Sequence, residues 1–218
     1  MPREQRTPEE KLVDSALLLA LLGQVEVTPD CPYVGDRLKV MKLAFLATHR
    51  MFEACEKGFN FTFYRWKFGP VSNHVYESWK VLEEASLLKE EEEFSLTRRG
   101  ARLAEAFRKD VLSARANEPF AEAVAAIARK FGSWNHDDLM RHIYAMKVTP
   151  VSGNRQVRIA DLPERAHITE ALTSAEATRE LQVEPGWLET LAIALNSATI
   201  RSLEEAADDF ACGRLATA

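Results

Sequence analysis

The sequence predicts a mostly α-helical protein with a small β element and a C-terminal helical extension. Three observations carry that expectation. Apolar residues recur at helical spacing over several stretches, beside residues that can open a helix such as Thr7, Asp36 and Thr97. One short aromatic run, Phe61–Phe68, reads instead as a strand that breaks at Gly69-Pro70. After Pro150 clean periodicity disappears and returns only near Pro185. The expected division is residues 1–149 as a helical domain and residues 150–218 as an extension with two short helices.

The first helix is expected over Pro8–Leu22, with Thr7 as N-cap, Pro8 at the first helical position, Glu9 and Glu10 at its positive end and Gly23 at its stop. A second helix should start after Asp36 and run to Gly58. Its apolar positions, from Leu38 to Phe52, go nearly all round and make it central. In the strand, alternation sets Thr62, Tyr64, Trp66 and Phe68 on one side and Phe61, Phe63, Arg65 and Lys67 on the other. Ser72 can cap a helix over Asn73–Ala85 whose buried stripe is Val75, Tyr76, Trp79 and Leu82. Leu87-Leu88, a charged tip Glu90 to Glu93 and Phe94-Ser95-Leu96 read as a hairpin, and Thr97 opens the next helix. Further helices are expected over Pro119–Phe131 and His136–Met146. The tail should hold Trp187–Leu195 and a last helix after Ser202, with Leu203, Ala206, Ala207 and Phe210 on one face and Gly213 at its end. The two tail helices are expected to bury these faces, on the core or on a partner or second copy, because helices this short are marginal alone.

Composition is that of an ordinary globular chain: 46% apolar and 28% charged residues, with a net charge of −5 that leans against nucleic acid as a partner. Three cysteines, Cys31, Cys55 and Cys212, form no CxxC, which points to unpaired thiols in a reducing cytoplasm, with Cys55 facing the core. Ala16–Leu22 is apolar but far shorter than the roughly 20 residues of a membrane span, and acids rather than bases precede it. No P-loop, nucleophile elbow, dinucleotide fingerprint or HExxH occurs, so neither an enzyme nor a cofactor is expected. His136, Asp137, Asp138 and His142 lack a compelling ligand spacing and read as a capped helix start, not a metal site.

The order helix, strand, helix, hairpin, helix resembles a degenerate winged helix. The alternative function is therefore a winged-helix DNA-binding regulator. Two features oppose it. Only one helix fits between Gly69-Pro70 and Leu87, whereas a helix-turn-helix needs two. Seven acids against two bases also give Ser72–Glu93 a charge of −5, which repels phosphates.

A more specific likeness lies in residues 39–88. Met41-Lys42-Leu43 in an apolar helix, then Trp66-Lys67-Phe68-Gly69-Pro70-Val71, then an early Tyr76 in the next helix resemble the Panacea domain (SocA-like antitoxin) family over about Val34 to Thr149. Phe68 stands where that family usually has tyrosine. The resemblance implies an antitoxin that neutralises a cognate protein toxin by direct binding and, in one branch, delivers it to a protease. Candidate partner-binding residues are Arg65, Trp66, Lys67, Phe68, Gly69, Pro70, His74, Arg98 and Arg99. They combine hot-spot residue types with the best basic patch in the chain. A homodimer contact through the tail is a further expectation.

Overall fold

The structure, a computed structural model, describes residues 6–29, 31, 34–90 and 93–211. Pro32, the hairpin tip Glu91-Glu92, Cys212 and Gly213 lie outside the described residues. The described part is mostly helical, with small sheets.

Helix α1 (Pro8–Glu26) is the centre of the protein. Thr7 opens it as a capping box: its hydroxyl accepts from the Glu10 amide at 3.1 Å, and the Glu10 carboxylate accepts from the Thr7 amide at 2.9 Å. Leu17, Leu18, Leu19, Leu21 and Leu22 are all at most 1% exposed, so the helix is apolar all round because neighbours cover it all round. Gly23 does not stop it. A β-carbon there would lie 3.0 Å from the Ala104 β-carbon, so glycine at this position serves the approach of a neighbouring helix. Asp14 is fully buried beside Arg6, whose guanidinium donates to it at 2.8 Å, while the Asn60 amide donates at 2.7 Å. Burial outweighs these partners and raises the Asp14 carboxyl to about 6.

Helix α2 (Arg37–Glu53) starts on the Asp36 cap, whose carboxylate accepts from the Lys39 amide at 2.7 Å. It ends before Gly58. Cys55 takes φ 54°, the left-handed position that commonly follows a helix, and is exposed, not in the core. Its carbonyl accepts from the Thr178 amide at 2.8 Å, where β1 (Glu56–Lys57) begins. Gly58 is needed for space: a β-carbon would meet Met51 Sδ at 2.6 Å and Phe120 at 2.9 Å.

Strands β2 (Phe63–Trp66) and β3 (Gly69–Val71) form a hairpin, and helix α3 (Asn73–Glu84) follows. Ser72 occupies the cap position of α3, but its side chain makes no capping bond. The buried stripe of α3 is Val75, Ser78, Trp79 and Leu82, the i, i+3, i+4, i+7 series; Tyr76 points outward at 42% exposure. Trp79 packs edge-on against Phe94 at 4.5 Å. The one expected hairpin is present as β4 (Leu88–Glu90) and β5 (Phe94–Leu96), with Leu88 opposite Leu96. Thr97 caps α4 (Arg98–Phe107) by accepting from the Gly100 amide at 3.0 Å. Helices α5 (Glu118–Phe131) and α6 (His136–Ala145) complete the body, with α5 against both α1 and α2, and α6 against α2.

Beyond Met146 the chain adds short strands: β6 (Lys147–Val148), β7 (Val157–Arg158), β8 (His167–Thr169) and β9 (Arg179–Glu180). Strand β8 pairs antiparallel with β2, making β2 the middle of a three-stranded sheet, and β9 pairs parallel with β1. Lys57 joins this second pair to the first helix, reaching Glu180 and, at 3.3 Å, Glu10. Asn117 is buried and holds the Gln182 backbone through both ends of its side-chain amide, the nitrogen donating to the Gln182 carbonyl and the oxygen accepting from the Gln182 amide.

Helix α7 (Pro185–Ala194) packs on α1 through Leu191, with Leu195 buried just past its end and Trp187 edge-on to Phe107 at 5.8 Å, whereas Ile193 faces outward. Helix α8 (Ser197–Ala211) begins earlier than expected because the Asn196 side chain caps it, accepting from the Ala198 and Thr199 amides. Its apolar face is not buried. Leu203 is 55% and Phe210 74% exposed, and α8 packs against α7 alone among its principal neighbours. Among the described residues no helix is long and apolar enough to cross a membrane.

Candidate partner-binding surface

The alternation read in the aromatic strand holds as far as Trp66; the strand stops there, and Lys67 and Phe68 belong to the turn. Phe61 and Phe63 have no exposed surface and point into the core, where Phe63 meets Phe45 edge-on at 5.3 Å. Tyr64 and Trp66 are half-buried on the other face and meet at 6.5 Å, and Phe68 is 63% exposed. Pairing of Trp66 with Gly69 leaves Lys67 and Phe68 as a two-residue loop. Gly69 takes φ +83°, which a side chain would strain, so the break in the sequence is a tight turn that keeps the strands paired.

Side chains from three elements hold this turn by its carbonyls. Arg65 donates to the Trp66 oxygen. Tyr144, from α6, donates to the Lys67 oxygen at 2.9 Å. Lys42, from α2, donates to the Pro70 oxygen at 2.9 Å. Lys42 has no exposed surface, and burial pushes its ammonium down to about 8. Arg65 also lies over the Tyr144 ring at 5.7 Å. A turn tethered in this way loses little conformational freedom when something binds to it.

The turn that leads into β8 extends the surface. The Arg165 amide donates to the Arg65 oxygen at 2.7 Å, and the Arg165 guanidinium sits 5.6 Å from the Trp66 ring centre. Arg165 does so with φ 66°, a conformation that costs a non-glycine residue about 1 kcal/mol or more. Among the described residues no carboxylate pairs with Arg65, Lys67 or Arg165. The face is thus aromatic and cationic on a chain whose net charge is −5.

Six of the nine candidate residues, Arg65 to Pro70, meet in this turn. The other three do not join it. His74 lies inward at the start of α3, its Nδ1 accepting from the Thr62 amide at 3.4 Å. Burial and the Arg6 charge hold its pKa below the usual histidine value. Arg99 spends its guanidinium on the Ala85 and Ala194 carbonyls, at 3.1 and 3.0 Å, tying the ends of α3 and α7 together. Tyr64 meets Asn73 at the beginning of α3, and Arg99 meets Ala85 at its end. A 12-residue helix separates those points by about 18 Å. Arg98, its neighbour, is exposed at the start of α4. Sequence reasoning missed Lys42, Tyr144 and Arg165. Lys42 and Tyr144 sit on recognised helices, where nothing marks which carbonyl they will reach. Arg165 falls in the stretch without periodicity.

Among the described residues no group of three or more His, Cys, Asp or Glu side chains could hold a metal ion. Neither family models, nor curated proteins, nor solved structures give a match to this chain.

Proposed function

We propose that this chain is an antitoxin-like binding protein of the cytoplasm. It neutralises a cognate protein toxin by direct contact at the Trp66–Pro70 turn, acting without catalysis, and in the manner of one branch of the Panacea family it can present that toxin to a protease. One observation carries the reading: the exposed Phe68 stands on a turn whose carbonyls at Trp66, Lys67 and Pro70 are each held by a side chain. Rigid aromatic residues flanked by arginine are the residue types that dominate protein interfaces. The motif of the family resemblance, Trp66 to Val71, is this same turn.

The resemblance to a degenerate winged helix rests on α3, the β4–β5 hairpin and α4. It does not favour DNA as the partner, because a single helix lies between Gly69-Pro70 and the hairpin and the Ser72–Glu93 segment carries a charge of −5. The test is co-expression with the product of a toxic reading frame encoded beside this one. Restored growth, with a complex that survives gel filtration, is the expected result. Undiminished toxicity, or tight salt-resistant binding of the upstream DNA, overturns the proposal.

A further inference from the structure

Two surfaces of opposite character are left uncovered. Helix α8 shows Leu203 at 55% and Phe210 at 74% exposure, with Ala206 and Ala207 exposed between them at i+3 and i+4. Its sequence carries four acids and one arginine, a net charge of −3. The turn face shows Phe68, Trp66 and Tyr64 with the exposed cations Lys67 and Arg165, and no described carboxylate pairs with those two; Arg65 lies on the other side of the strand, over Tyr144. A 15-residue helix is marginal in water and gains stability by laying its apolar side on something. Within one chain neither surface covers the other, since Phe68 and Phe210 both remain exposed.

We propose that α8 of one copy docks, acidic and apolar, onto the aromatic and cationic turn face of a second copy. Charge selects this occupant. Pairing α8 with α8 would bring together two helices of charge −3, which is repulsive, whereas α8 against Lys67 and Arg165 is attractive. The contact is head to tail: each copy offers one helix and one face, so association continues with concentration or closes into a ring. The proposal rests on the preceding reading of the turn as the partner surface and adds its regulation. Self-association covers the face, and a toxin must displace the helix to reach it.

Sedimentation of the full-length protein alone tests this. The wild-type mass should rise with concentration and fall back as salt screens the charges. Phe210→Asp alone and Phe68→Ala with Arg165→Glu in one chain should each be monomeric, since removing a hot-spot aromatic weakens binding by about thirtyfold. Mixed together, these two defective proteins retain one good helix and one good face. They should form a complex of two chains and no larger one. All of these side chains are exposed or at the surface, so melting temperatures should stay close to wild type. If Arg165→Glu lowers the melt, Lys67→Glu on the exposed loop replaces it. A wild-type protein monomeric to its solubility limit overturns the proposal, as does a mixture that stays monomeric or a single variant that still associates. Protection of α8 from exchange that is independent of concentration also overturns it, by placing the helix on its own chain. Because no toxin is used, failure here leaves the neutralisation assay to judge the function separately.

Discussion

Lys42 is the place where the fold accepts a cost, and replacing it measures that cost. Its ammonium has no exposed surface, makes one hydrogen bond to the Pro70 oxygen at 2.9 Å, and titrates at about 8 in place of 10.5. A shift of that size corresponds to about 3 kcal/mol at 1.36 kcal/mol per pH unit. The folded pKa lies below the unfolded one. The contribution is therefore present above pH 10.5 and is lost as pH falls through 8, so that at pH 7 the charged lysine destabilises the fold by about that amount. Lys42→Met fills a similar volume without the charge but leaves the Pro70 carbonyl without its donor, a loss of about 1–2 kcal/mol. The net expectation at pH 7 is a gain of about 1–2 kcal/mol, or a few degrees in melting temperature for a chain of this size. Thermal melts of both proteins from pH 7 to 10 test it. The wild type should gain on the variant as pH rises. Asp14 does not confuse the comparison, because its raised pKa of about 6 places its own effect at lower pH, where stability from it is lost as pH rises. A variant no more stable than wild type at pH 7, with the same slope above pH 8, would refute the reasoning.

Other substitutions test the rest of the architecture. Trp79→Ala removes a side chain that is 3% exposed and packed on Phe94, and should cost about 3–5 kcal/mol in chemical denaturation. Asp14→Ala leaves the buried Arg6 guanidinium without its main counter-charge and should also cost about 3–5 kcal/mol, whereas Glu77→Ala, at the exposed end of the same network, should cost far less. Arg99→Ala should lower stability by about 1–3 kcal/mol and speed amide exchange in α7, because two helix-end carbonyls lose their donor.

The helices and the β4–β5 hairpin are legible where a cap and a periodic stripe coincide, as at Thr7, Asp36 and Thr97, whereas the β2–β3 hairpin is not, because Gly69-Pro70 reads as a break. The inward and outward sides of the aromatic strand were legible for the same reason, since a period of two leaves little choice when Phe61 and Phe63 must be buried. Misreadings came from letting residue type stand for geometry. Tyr76 looks more buriable than Ser78 because it is less polar, but the helix buries whatever falls at i+3 from Val75. Gly23 and Gly58 look like stops in the sequence, yet Gly58 has no room for a β-carbon beside Met51 and Phe120, and one at Gly23 would press on Ala104. Cys55 looked like core and instead supplies the left-handed residue after α2. The contribution of Arg165 to the candidate surface is not legible, because it lies in the turn before β8, a strand of three residues held by pairing with β2, not by a pattern of its own. The exposure of the Leu203–Phe210 face was likewise invisible, since an amphipathic pattern states that a face needs a partner and not which one.

The claim on which the account stands is that the Trp66–Pro70 turn is where the partner binds, and the affinity of Phe68→Ala for the neutralised toxin tests it most directly. Phe68 is 63% exposed and makes no contact on which the core depends, so its removal should leave the melting temperature unchanged. The account predicts binding weakened by about thirtyfold or more, the loss typical of a central aromatic hot spot. A Phe68→Ala protein that binds the toxin as tightly as wild type would contradict it.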